Sequence, residues 1–175
     1  MNSISLYIPD EDELEYRQFL IADEETMLYN KGFGDDGGST YRQSPERLAV
    51  WYKRWNNGSD SFYAYVKVQQ AFVGEVSIHY DEESHRYIAS IILQAEYRGK
   101  GYALEALRLL VEHGFYSMDL DALYDSFSVS RQDAEKLFAE AGFERIAEDW
   151  VELLKEDYIK LQGPEKMSVQ ADGNS

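Results

Sequence analysis

The sequence predicts an α/β fold of the α+β type, built on one mixed, mostly antiparallel central sheet of about seven strands with helices on both faces. Three observations carry that prediction. Phe62 to Val68, Phe72 to Tyr80 and Tyr87 to Leu93 alternate in polarity and are joined by short turns, the pattern of an antiparallel meander. The third run is followed by a helical stretch, Ala103 to Tyr116, and by a further strand, Leu123 to Val129, which makes one parallel crossover. Most of the remaining segments repeat their apolar residues with helical spacing.

The elements follow in order. Ile4 to Ile8 alternates and reads as a short strand, ended by Pro9 and Asp10. Asp10 to Ala22 reads as an acidic helix with Leu14, Phe19 and Leu20 inward, and Asp23 to Tyr29 adds a turn or two. Lys31 to Thr40 is a glycine-rich loop. Ser44 and Pro45 then supply an N-cap and a first helical position, ahead of the stripe Leu48, Trp51, Tyr52 and Trp55. After the meander, Leu104, Leu107, Val111 and Phe115 mark the inner face of the next helix. Ser130 and Asp133 stand at capping-box spacing before the stripe Ala134, Leu137, Phe138 and Ala141, and Gly142 stops that helix. Phe143 to Ala147 and Trp150 to Leu154 read as two closing strands. Residues 1–162 are expected to form a single domain, and 163–175, with little to bury, a flexible tail.

Composition narrows the function. The formal net charge of −16 disfavours nucleic acid and anionic membranes, whose binding needs basic residues against phosphates. It favours a cationic partner through long-range steering, although acidity also serves plain solubility. With no cysteine in the chain, disulfides and thiolate chemistry are excluded, and a cytoplasmic location is expected. Met1 to Leu14 carries acid and no base, unlike a targeting peptide, and no apolar run approaches membrane-spanning length. The three histidines show no metal-ligand spacing, so no metal is expected.

The informative segment is Arg98-Gly99-Lys100-Gly101-Tyr102-Ala103, between a strand and a helix start. Two glycines allow a tight turn and close approach of backbone amides to a ligand. The helix behind them offers unpaired N–H groups and the positive end of its dipole, a combination suited to a pyrophosphate. P-loop spacing is absent. A dinucleotide fingerprint would need a glycine where Leu104 stands, and a parallel sheet before it. A plain glycine-rich strand-to-helix turn is the bland alternative.

Arg98-x-x-Gly101-x-Ala103, with apolar Leu93 five residues earlier, resembles the acetyl-CoA motif of the GNAT superfamily of N-acetyltransferases. Ala134 to Phe143, ending in Gly-Phe, is similar to that family's later helix, and the resemblance runs from about Phe62 to Ile146. It implies acetyl-CoA as cosubstrate, with its pyrophosphate on the amides of Gly99, Lys100, Gly101, Tyr102 and Ala103 beside Arg98. The pantetheine arm would pair with Ile91, Ile92 and Leu93, where two strands splay apart, and an amide near Ile92 would polarise the thioester carbonyl. The implied acceptor is a small primary amine, by charge a cationic one such as a polyamine or an aminoglycoside-like compound. The sequence leaves monomer and homodimer both open, homodimers being frequent in the family.

The resemblance departs from its pattern where protons move. Many members carry a tyrosine acid four residues before the helix-ending glycine, here Phe138, and an asparagine touching the CoA arm, here Arg131. Glu75 is the first base candidate, on the strand face it shares with Ser77 and His79. Asp125 is the second, an acid intruding on the apolar row of Leu123, Phe127 and Val129. Tyr124 and Ser126 on the same strand are candidates for the acid, and Tyr29 and Asn30 for an acceptor wall. Phe138 also keeps open a second reading, a GNAT-fold acetyl-CoA sensor with little turnover.

Overall fold

The computed structural model describes residues 3–163. Seven strands form one sheet in the order β1-β2-β3-β4-β5-β7-β6. They are β1 (Ile4–Tyr7), β2 (Ser61–Val68), β3 (Ala71–Asp81), β4 (Arg86–Leu93), β5 (Ala122–Ser126), β6 (Glu144–Ala147) and β7 (Trp150–Leu154). Among the described residues five α-helices accompany them: α1 (Glu15–Ala22), α2 (Pro45–Trp55), α3 (Tyr102–Glu112), α4 (Gln132–Glu140) and α5 (Lys155–Gln162). Neighbouring strands pair antiparallel except β4 and β5, the single parallel pair, joined through α3.

Register explains the two cores. Tyr65↔Glu75↔Ile92 and Tyr63↔Ser77↔Ser90 stand opposite one another on one face, while Ala64↔Val76↔Ile91 and Phe62↔Ile78↔Ala89 occupy the other. Against the second face lie Leu107, Leu110, Val111 and Phe115, all fully buried or nearly so. Against the first lie Leu14 and Ile21 from the α1 region and Leu48 and Tyr52 from α2. Both faces are therefore dry at β2 and β3, and truncating Leu110 to Ala there would cost on the order of 2–5 kcal/mol. The α2 start is capped as its sequence foretells: Ser44 Oγ accepts the Arg47 N–H at 3.2 Å, with Pro45 leading the helix.

Several local expectations are revised. Phe19 is half exposed (52%) because Ile21, with Leu20, takes the inward position on α1. The strand expected to reach Val129 ends at Ser126, and Val129 is exposed. The N-cap of α4 is Arg131, without a side-chain cap bond, because Ser130 instead pairs with the Ser128 hydroxyl at 2.9 Å. Helix α3, after the glycine turn, widens into a π-turn at His113–Ser117. Helix α5 covers Tyr158 against Phe115, an amphipathic segment too weakly periodic to stand out in the sequence. The expected tail lies, beyond Gly163, outside the described residues.

Candidate active site

The site begins with a gap in the sheet. β4 and β5 share one paired position, Ile88↔Tyr124, and then diverge, so Ala89 to Leu93 has no strand on that side among the described residues. Gly74 on β3 is part of the cause. A Cβ there would collide with the Ile92 carbonyl oxygen, so only glycine lets the end of β4 lie this close to β3 and lean away from β5. The Gln94 N–H donates to the Val73 carbonyl at 2.8 Å. Antiparallel alternation then turns the Ile92 amide toward β3 as well, and the backbone groups facing the gap belong to Ile91 and Leu93.

The gap opens into a cleft of about 460 Å³ between β4, β5, α3 and α4. Ile91, Ile92, Leu93, Arg98, Gly99, Gly101, Tyr102, Ala103, Asp125 and Arg131 all line it, so the structure gathers most of the sequence-derived residues in one place. Gly99 (φ 75°) and Gly101 (φ 82°) are left-handed, and a Cβ on either would meet no protein atom within 4 Å. The turn is thus held by the conformation glycine permits, and its open side faces ligand space. Gly101 is also the N-cap of α3 and has no side chain to occupy the first amides of the helix. Such a cradle, next to an unpaired strand edge, fits a phosphate-bearing ligand with a peptide-like arm.

Two charged residues of the loop are employed differently from one another. Arg98 donates to the Thr26 carbonyl at 2.7 Å, and the Ala95 N–H donates to the Thr26 hydroxyl at 3.0 Å. These bonds pin the segment after α1 against the end of β4. Lys100 does not line the cleft and stands 5.4 Å from the Tyr97 ring centroid.

Asp125 lines the cleft from β5, where it pairs with Val151 of β7. Burial pushes its carboxyl up to about 7, against opposing effects from the Ser126 backbone N–H and the Arg131 charge. A carboxyl that titrates near neutral pH can both take and return a proton. Arg131 is ion-paired with Asp133 at 3.1 Å and stacks 4.7 Å from the Tyr29 ring centroid. Tyr124 faces away from the cleft, with Arg86 at 4.8 Å over its ring. Phe138 lines the cleft with a phenyl ring packed on Phe127 and Phe143.

Glu75 is buried on the opposite face of the sheet (5% exposed), beneath α1 and α2 rather than in solvent. Its two carboxylate oxygens accept from the Arg17 guanidinium and the Tyr63 hydroxyl in short contacts. Arg17 in turn lies 3.6 Å over the Trp51 ring. Burial lowers the Arg17 guanidinium, and the Glu75 charge more than offsets it, for a net upward direction. Trp55 continues the aromatic row, its ring tilted against His79 at 4.2 Å between centroids. Sequence reasoning missed Arg17, Tyr63 and Thr26. The only sign of Arg17 was a basic residue within an acidic, amphipathic helix.

The family model described as acetyltransferase (GNAT) domain matches residues 6–144. No curated protein matches the chain in sequence. Among solved structures, the fold is similar to spermidine N-acetyltransferase from Vibrio cholerae in complex with CoA and spermine, at a TM-score of 0.72 and 17% identity over 89% of this chain and 98% of that one. It is also similar to the aminoglycoside acetyltransferase AAC(6')-Ib in complex with ribostamycin and coenzyme A, at a TM-score of 0.75 and 14% identity over 93% and 99% of the two chains. A GNAT-family acetyltransferase from Bacillus anthracis gives 0.66 and 17% over 89% and 98%.

Proposed function

This chain belongs to the GNAT family of N-acetyltransferases, and from that premise we propose that it moves an acetyl group from acetyl-CoA to a primary amine of a small cationic acceptor by direct attack in a ternary complex. One observation carries the proposal. The β4–β5 gap opens onto a single cleft that has the amide cradle of Gly99 to Ala103 at one end and the neutral-range carboxyl of Asp125 on its wall.

In this reading the cradle amides receive the pyrophosphate and the free edge of Ile91 to Leu93 receives the pantetheine arm. The amides of Ile91 and Leu93 then face the thioester carbonyl and stabilise its developing negative charge. Asp125 accepts a proton from the attacking amine. Glu75, tied to Arg17 and Tyr63, holds the face of the sheet under α1 and α2 in shape next to Ile92. The net charge of −16 steers cations toward the protein, and the spermine and ribostamycin bound by the similar structures are both polycationic amines.

Phe138 favours a second reading, an acetyl-CoA sensor, because the α4 side of the cleft wall carries a phenyl there and not a proton donor. Thiol release from acetyl-CoA, measured with spermine, spermidine, ribostamycin and a monoamine, separates the two. Release dependent on a polyamine or ribostamycin supports the transferase. Tight CoA binding without release for any amine refutes it in favour of the sensor.

A further inference from the structure

When the amine displaces the thioester sulfur, something must give that sulfur a proton. Several side chains line the cleft near the gap: Tyr102, at the start of α3 within the glycine cradle, Lys136, paired with Glu140 at 3.9 Å, and Phe138, Arg131 and Tyr29. Phe138 has no proton to give. Arg131 is paired with Asp133, and a guanidinium holds its protons.

Tyr29 differs in origin and in freedom. It comes from the segment between α1 and α2, which the Thr26 bonds to Ala95 and Arg98 fasten to the end of β4. That fastening brings Tyr29 to the wall of the cleft, with the Arg131 guanidinium 4.7 Å from its ring centroid. Among the described residues its hydroxyl has one hydrogen-bond partner, the Met27 thioether sulfur at 4.0 Å, a weak acceptor. The phenolic O–H is therefore available to a stronger acceptor in the cleft.

We propose that Tyr29 is a catalytic residue of the transfer, donating its phenolic proton to the CoA sulfur as the carbon–sulfur bond breaks. The inference rests on the transferase reading above. The step balances. The amine nitrogen forms a bond to the acetyl carbon, and the carbon–sulfur pair leaves on sulfur. The amine proton goes to Asp125, and the Tyr29 proton goes to sulfur. A proton then passed from Asp125 to the Tyr29 oxygen through water restores both groups, and amide and free thiol depart. Part of the ring is open to solvent, but desolvation around the hydroxyl, followed by the Glu75 charge, pushes the phenol up to about 12. Tyr29 is therefore protonated, and loaded as a donor, throughout the neutral range.

Tyr29→Phe keeps the ring that stacks on Arg131 and removes only the hydroxyl, and two acetyl donors separate acid catalysis from shape. With acetyl-CoA and spermine or ribostamycin, whichever the parent uses, kcat is expected to fall about a hundredfold, the low end for a general acid. CoA affinity by calorimetry should stay within about twofold, which also certifies the fold. With S-(4-nitrophenyl) thioacetate, whose aryl thiolate leaves without protonation, the loss should shrink to about threefold or less. An equal loss with both donors, an unchanged rate with acetyl-CoA, or a loss of CoA binding would each overturn the acid role. A parent protein that releases no thiol with any amine would instead overturn the transferase reading itself, and the acid with it.

Discussion

Replacing Asp125 by Asn tests the site through stability as well as rate. The carboxyl has an ordinary value of 3.8 and titrates at about 7 in the folded protein. The unfolded chain gives up this proton first, so between those two values the folded state binds more protons and stability falls as pH rises. Below 3.8 both states are protonated and nothing is lost; above about 7 the loss is complete. At 1.36 kcal/mol for each pH unit, the gap sets a ceiling of roughly 4 kcal/mol, with about a third of it present at pH 5. Partial exposure of the side chain to the cleft reduces what is realised, so a gain of about 2 kcal/mol for Asp125→Asn at pH 8 is expected. For a chain of this length that is a rise in melting temperature of about 4–8 °C. The assay is a set of thermal and urea melts of both proteins from pH 4 to 8. The stabilisation should grow through that range and vanish at its acid end, while thiol release drops about a hundredfold at neutral pH. An Asp125→Asn protein that is no more stable than the parent at pH 8, or one that is stabilised equally at every pH, would refute the burial argument.

Other perturbations follow from the same geometry. Gly101→Val puts a branched side chain in a left-handed conformation and into the ligand side of the turn; acetyl-CoA affinity by calorimetry should fall at least about tenfold with the fold intact, and an unchanged affinity would move the pyrophosphate elsewhere. Glu75→Gln leaves the Arg17 charge without its buried partner and should cost on the order of 3–5 kcal/mol in urea melts; a cost below about 1 kcal/mol would show that the pair is not what closes this face. Rates with spermine should fall more steeply with added salt than rates with a monoamine, as steering by the acidic surface demands; parallel salt dependence would reduce the acidity to solubility.

The parts of this molecule that were legible in its sequence are those governed by local rules. Alternation located the meander, the glycine pair located the left-handed turn before α3, and Ser44-Pro45 located the start of α2, because each signal lies within a few residues. Asp125 also announced itself, as an acid in an apolar row. What stayed hidden was the identity of partners. Periodicity showed that Glu75 shares a face with Ser77 and His79, but not that this face would be covered by a helix bringing Arg17 from 58 positions away. The Thr26–Ala95 bond spans 69 positions, and nothing local distinguishes that threonine from any other after a helix. Even the helix ends obeyed this division. Ser44 caps α2 as its position requires, whereas Ser130 was drawn to Ser128 instead of capping α4.

Three energetically unfavourable features of the fold lie around one seam. Along β4 the sheet forgoes pairing with β5 after Ile88↔Tyr124, leaving strand edge unpaired where an extra pairing would be available to a less divided sheet. On one side of that seam Asp125 is held with its charge disfavoured, and on the other an arginine–glutamate pair is taken out of water beneath Trp51. Neither feature helps the chain fold: a raised carboxyl destabilises it above acid pH, and a buried ion pair is at best neutral against an apolar equivalent. The Gly74 contact and the Thr26 anchors nonetheless keep the seam open and bring Tyr29 to the wall of the cleft. Local choices that oppose stability and converge on a cleft are what the proposed ligand binding and proton transfer require. Asp125 and Tyr29, far apart in the sequence, are the base and acid that the proposal places at this seam.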